Sequence, residues 1–369
     1  NLAFAVRGGV LVLGPEKTVR ASLDTAGAST IASSASFAAA LDAAPSAYLG
    51  YGYVDVRAFV EGALNAAGED AELPTACLDA VVAQIPTWAA GSVRAEDDAL
   101  VFTATARMAD AAPTARNSAS AVASRLPAST VAAIEVRDLG AGVMAGLDEL
   151  KTTLACDPST AEAITQLEQA LAAVGGAEAL SGWADDTAVA VTVGGSAFGG
   201  GIAAIVADEE AAGRALDQMK ALLALAGSGA GLVYREEAYG AGTLLVVTIP
   251  SEVPGGAAPE IAATVQGGLF ALGTIDFVKA VVATSEADSL AKSPVYERAI
   301  ALAGGNGMSN AFIDIAGIRA GITGMLPDDA RVEFETEIEP FLVPIEAFAS
   351  VAEASGATTE VRAVITFTK

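Results

Sequence analysis

Histidine is missing altogether from the 369 residues, and with it go the commonest general base near neutral pH and the commonest transition-metal ligand. Cysteine occurs only at Cys77 and Cys156, too few for a thiolate metal cage and too far apart for a redox CxxC pair. Neither a cofactor nor a metal is therefore expected. Aromatic residues are only 5% of the chain, so alanine and glycine supply much of its 53% apolar bulk. No apolar run approaches the roughly 18 to 20 uninterrupted residues that a spanning helix needs, so a soluble chain without a membrane span is expected. Bases are scarce: 20 Lys and Arg face 45 Asp and Glu, a net charge of -25. That field repels phosphate backbones and anionic headgroups and argues against a nucleic-acid partner.

The acidity with little lysine fits either high-salt solubility or an exported protein from a genome rich in Ala, Gly, Asp and Arg codons; the second is preferred. In an exported protein the two cysteines most simply form one disulfide, Cys77 to Cys156, the alternative being two unpaired thiols. The sequence opens at Asn1 with neither an initiator Met nor a basic, apolar leader, so any export signal is expected to have been removed.

What the chain does contain is a repeat. FAVRGGVLVLGPEKTVRASLDT aligns with ATVQGGLFALGTIDFVKAVVAT, placing Gly8-Gly9 on Gly267-Gly268 and Gly14 on Gly273, an offset of 259 residues. Without a gap, Ser34 then falls on Ser293, Phe37 on Tyr296, Leu41 on Ile300, and Tyr53-Val54-Asp55-Val56 on Phe312-Ile313-Asp314-Ile315. A Leu-Pro pair (Leu73-Pro74, Leu326-Pro327), an apolar helix and a strand at Val101-Phe102-Thr103 or Val364-Ile365-Thr366-Phe367 extend the match. Residues 1–112 thus read as the C-terminal half of a first repeat module, 113–126 as an Ala/Ser/Pro-rich connector, and 127–369 as a complete second module. A matching front half is expected to precede Asn1.

The paired glycines between alternating apolar segments predict β-hairpins, since glycine takes positive φ at little cost. Gly14-Pro15 and Gly273-Thr274 predict helix starts. Asp208-Glu209-Glu210 predicts another, with Leu216, Met219 and Leu223 at helical spacing. Strands are expected at Val131–Val136, Thr187–Val193, Ile202–Val206, Leu232–Glu237 and Thr243–Ile249, joined by short turns that favour antiparallel pairing. The predicted class is α+β: a duplicated module of antiparallel sheets with helices packed on one face.

Few residues point to chemistry. Asp55 and Asp314 share a repeat position, and Glu135 sits in a similar strand-to-helix context. They read as carboxylates for acid/base work or cation binding, or as acids that cap the next helix or pair with Arg57 or Arg137, the second reading being preferred. Gly194–Gly201 (GGSAFGGG) lacks the Lys-Ser/Thr of a phosphate loop and reads as a hairpin tip. Gly227–Gly231 has the wrong spacing for a dinucleotide fingerprint. Ser289-Leu290-Ala291-Lys292 matches the SxxK pattern of penicillin-interacting enzymes, without companion SDN or KTG elements; coincidence is preferred. Trp88, Trp183, Tyr48, Tyr51 and Tyr53 mark either a binding surface or core packing. Asp97-Asp98 and Asp185-Asp186 lack the spacing of a calcium loop and suit turns.

NSASAVASRLPASTVAAIEVRDLG, LSGWADDTAVAVTV, IVADEEAAGRALDQMKALL and the two GGVLVLG and GGLFALG segments together resemble the bacterial family known as domain of unknown function 3352. The resemblance covers most of the chain. It implies export or membrane anchoring through an N-terminal segment and supplies no established activity or catalytic residues to carry over. The leading expectation is a non-enzymatic binding or assembly protein of the cell envelope or exterior, with a protein partner or self-assembly. A carrier holding a lipid or other apolar ligand between sheet and helices is the alternative. A hydrolase would need Asp55 and Asp314, or Ser289, to meet in one cleft.

Overall fold

The computed structural model describes residues 2–7, 10–24, 30–67, 77, 82–109, 116–155, 160–173, 175–194, 197–230, 232–250 and 258–368. The first copy runs through hairpin strands β1 (Leu2–Arg7) and β2 (Val10–Pro15), helix α1 (Glu16–Asp24), a 3-10 turn at Ile31–Ser33, α2 (Ala35–Asp42), β3 (Gly50–Val54), α3 (Val56–Ala67), β4 (Trp88–Glu96) and β5 (Ala99–Arg107). An intervening module follows: β6 (Thr130–Val136), α4 (Leu139–Leu154), α5 (Ala161–Ala173), α6 (Gly176–Ser181), β7 (Ala184–Gly194), β8 (Ala197–Val206), α7 (Glu209–Ala230), β9 (Val233–Tyr239) and β10 (Gly242–Thr248). The second copy then repeats the first: β11 (Glu260–Gln266), β12 (Leu269–Thr274), α8 (Ile275–Ala283), a 3-10 turn at Leu290–Lys292, α9 (Pro294–Leu302), β13 (Ser309–Asp314), α10 (Ile315–Met325), α11 (Asp328–Glu333), α12 (Glu339–Leu342), β14 (Ile345–Ser355) and β15 (Thr358–Phe367). Glu16 and Ile275 open equivalent helices, and Ile31 and Leu290 equivalent turns, at the 259-residue offset of the repeat.

Local chemistry repeats with the elements. Gly267 and Gly268 take φ of 59° and 69° in the β11–β12 turn, the paired positive angles of a tight hairpin; their counterparts Gly8 and Gly9 lie outside the described residues, between strands that pair at Arg7 and Val10. Asp55 Oδ1 accepts from the Ala58 N–H at 2.9 Å, and Asp314 Oδ1 from the Gly317 N–H at 2.7 Å, capping α3 and α10. An edge-on aromatic pair recurs with its hydroxyl moved to the other partner: Phe37–Tyr53 at 5.2 Å and Tyr296–Phe312 at 5.1 Å between centroids. Asp208 accepts from the Ala211 N–H at 3.0 Å and starts α7 as its acids predict.

Among the described residues, thirteen strands form one antiparallel sheet in the order β3-β4-β5-β15-β14-β13-β6-β7-β8-β12-β11-β10-β9, while β1 and β2 make a separate hairpin. The fold is α+β, as expected. At the seam, β5 pairs with its own equivalent β15, from Ala99 opposite Thr366 to Arg107 opposite Thr358. The strand order therefore reads outward identically on both sides, through β4 and β3 or through β14 and β13. Helices α8 and α9 bury Phe277, Val278, Val281, Tyr296 and Ala299 on one face, against Leu244, Val246, Ala271 and Phe312. Beyond this expected layer, α7 covers the opposite face. Leu216 meets Leu245, Val247 and Ala263, the neighbours of Leu244 and Val246, which alternation sends to the other side.

The glycine-rich stretch at 194–201 belongs to the β7–β8 hairpin, with Gly195 and Ser196 outside the described residues. Its physical role is close packing. A methyl group at Gly201 would overlap the Leu272 carbonyl and come within 2.7 Å of the buried Phe277 ring. Gly201→Ala should lower stability by about 1–3 kcal/mol in urea denaturation. Gly142→Ala, in α4 with open space around it, should be neutral or gain up to about 1 kcal/mol.

Candidate functional site

The carboxylates picked out by the repeat do not meet. Asp55 and Asp314 each cap a helix of their own copy, and β3 and β13 stand five strand spacings apart in the sheet, about 24 Å at 4.8 Å per step. Burial holds the half-buried Asp314 carboxyl above the usual aspartate range, whereas Asp55 borders a shallow hollow with Arg57, Glu61, Trp88 and Arg107. Ser289 is buried and donates to the Glu286 carbonyl at 2.7 Å; Lys292 is exposed, so serine and lysine form no nucleophile–base pair. Asp97 and Asp98 make the β4–β5 turn, where Asp98 meets Arg298 at 2.8 Å. Gly227 to Gly229 lie in the last turns of α7, and Gly231 is outside the described residues. Cys77 is buried; its expected partner Cys156 is also outside the described residues. Among the described residues no group of three or more His, Cys, Asp or Glu is placed to hold a metal.

Glu135 belongs to a different arrangement from Asp55 and Asp314. It lies fully buried on β6, accepting from the Tyr296 hydroxyl at 2.8 Å, with Arg137 at 3.7 Å. Arg137 also faces Asp186 at 3.8 Å and donates to the Asn310 amide oxygen at 2.8 Å. Asp186 in turn accepts from the Ala121 N–H at 2.8 Å and from Arg116 at 2.6 Å, while Arg116 reaches Asp185 and Asp138 as well. Of the preferred pair of roles for Glu135, capping the next helix or pairing with an arginine, the structure places it beside Arg137. Asp185 and Asp186, expected in a turn, instead lie on β7, with Asp186 buried and both meeting Arg116. Desolvation raises the Glu135 carboxyl above the usual glutamate range, outweighing the Tyr296 hydroxyl and Arg137, and burial likewise raises Tyr296.

This network clasps residues 116–121 onto β6 and β7. Residues 116–126, read above as connector, are packed into the second copy. Val122, Ala123 and Leu126 are core residues, and Asn117 bonds the backbone of Ala354 through both amide atoms, at 2.7 and 3.2 Å. Their signal in the sequence was the Val122/Leu126 spacing of four, masked by surrounding Ala and Ser.

The main site emerges where the two copies differ. In the second copy β11 and β12 sit between β10 and β8, and β13 pairs with β6. Leu290 is fully buried and donates its N–H to the Leu126 carbonyl at 2.7 Å. In the first copy, among the described residues, the β1–β2 hairpin pairs with no other strand and β3 pairs only with β4. Phe4 is 73% exposed where its counterpart Ala263 is 3%, and Ile31 is 57% exposed where Leu290 is 0%. Leu2, Val6, Leu49 and Phe59 are exposed as well. The aromatic candidates Tyr48, Tyr51 and Tyr53 border this side, Tyr51 and Tyr53 packing on Phe37. Trp88 is buried in β4, and Trp183 is buried against Phe270.

The two edges of the large sheet are built differently. β9 reads VYREEAY and exposes Arg235 and Glu236, the charges by which solvated edges resist pairing. β3 reads GYGYV and carries no charge.

Compared with known proteins, the chain matches no family model, no curated protein and no solved structure.

Because native Glu135 holds its proton more tightly than an unfolded glutamate, the native state holds more protons than the unfolded state once pH rises above the ordinary glutamate range. Stability should therefore fall with rising pH up to the native pKa and level off beyond it. Glu135→Gln should remove that falling limb, which paired denaturation curves of variant and parent across pH would show as a growing difference in the variant's favour.

Proposed function

We propose that this chain is a non-enzymatic binding and assembly protein of the cell exterior or envelope, whose first copy accepts a module built on the plan of residues 116–259. One observation carries the reading: the second copy is covered by such a module at positions whose first-copy equivalents, among the described residues, are exposed or unpaired. The accepted module would add a strand to β3, flank the β1–β2 hairpin on both edges, and lay an equivalent of Val122–Leu126 over Ile31. Strand addition supplies main-chain hydrogen bonds and alternate side chains supply selectivity. Burying each of Leu2, Phe4, Val6 and Ile31 contributes on the order of 1.5–3 kcal/mol before ordering costs. The contrast between an uncharged β3 edge and a charged β9 edge favours pairing at β3 alone.

The setting rests on coarser support. The acidic surface, the two cysteines and the resemblance to an exported family favour the exterior. No helix of the described residues is long and apolar enough to cross a membrane.

The test is a chain in which residues 116–259 are duplicated directly before Asn1, giving the first copy the order found in the second. Hydrogen exchange at residues 49–54 should slow at least tenfold. Unchanged exchange in a duplicated module that folds would contradict the reading. So would a dimer of the unmodified chain in sedimentation with β3 already protected, since a second copy would then be the occupant.

A further inference from the structure

A cavity of about 370 Å³ lies between α7 and the sheet, and no residue of the first copy lines it. Trp183 and Phe270 form its floor, with ring centroids 5.0 Å apart. Leu216, Met219 and Leu222 project from one side of α7, and Leu180 closes it from α6. Gln218 is the one polar side chain among the lining residues, and none is charged. Leu180 and Leu222 stand 40% and 51% exposed at its mouth, and methionine gives the wall an adaptable surface.

Apolar cavities take apolar guests; an enclosed one of about 150 Å³ already admits benzene. The space here is more than twice that and falls within the roughly 300–1,000 Å³ of small-molecule sites. The geometry points to a binding site for an uncharged, apolar small molecule, a slender aliphatic chain or fused ring, whose single polar group reaches Gln218. An anionic headgroup is disfavoured twice over. No cation lines the cavity, and the chain's net charge of -25 repels an anion on approach. Trp183 lines the cavity, and its indole N–H is buried without a hydrogen-bond partner among the described residues. This site is independent of strand acceptance at β3, since its lining comes wholly from the intervening module and β12.

The test uses the neutral probe N-phenyl-1-naphthylamine with the full chain. Its fluorescence should rise on saturable binding, with energy transfer from tryptophan that Trp183→Phe abolishes and Trp88→Phe leaves in place. Leu222→Asp, at an exposed position on the mouth, should weaken binding at least tenfold with the far-ultraviolet circular dichroism unchanged. Ala215→Phe, which fills the cavity from the helix side, gives the same reading should Leu222→Asp unfold. Undiminished binding in a folded variant, energy transfer that depends on Trp88 instead, or no saturable binding at all would overturn the assignment.

Discussion

The antiparallel ladder between β5 and β15 is the interaction on which the rest of the molecule depends. These strands hold the same place in two copies of one unit, and their nine-residue register, Ala99 opposite Thr366 through Arg107 opposite Thr358, turns two sheets into one. Because the pairing is antiparallel, it relates the copies by an approximate twofold rotation, so the place that β6 takes beside β13 has its equivalent beside β3, where no strand pairs among the described residues. Breaking that ladder would expose Val101 and Val364, which are almost wholly buried at the seam. Such large apolar losses cost several kcal/mol.

Equivalent positions then take different roles because their surroundings differ. Leu290 is sealed by the segment around Val122 and Leu126, while Ile31 meets solvent. The hydroxyl of Tyr296 serves the buried Glu135, whereas in the first copy the hydroxyl moves to Tyr53 and bonds Ser36 at 2.8 Å. The charged clasp of Glu135, Arg137, Asp186 and Arg116 has members only in the intervening module and its leading segment. A buried network of this kind costs desolvation and repays it chiefly by fixing one arrangement, here the docking of residues 116–121.

Much of this was legible in the sequence. The Gly-Gly turns, the constant offset and the matched Tyr-Val-Asp-Val and Phe-Ile-Asp-Ile segments identified the repeat, and the elements recur at that spacing. The preference for capping or arginine pairing over catalysis at Asp55 and Asp314 came from their place at a strand end, and both side chains cap. Other features were hidden because they depend on what the chain folds against. The Gly194–Gly201 stretch looked like a hairpin tip, and it does span the β7–β8 hairpin, yet Gly201 lies within β8 and is set by the approach of Phe277. Residues 116–126 looked like a linker because their two large apolar side chains are diluted by Ala and Ser. The placement of α7 on the opposite face from α8 could not be read from its amphipathic pattern, which specifies a buried side but not which side of the sheet receives it.

The claim that two like units differ only in what covers them is tested most directly by hydrogen exchange on the unmodified chain, compared position by position across the repeat. The account predicts strong protection throughout β11, β12 and β13 and weak protection in β1, β2 and β3, with β5 and β15 alike. Equal protection of β3 and β13 would contradict it, for the first copy would then be covered without the intervening module's counterpart.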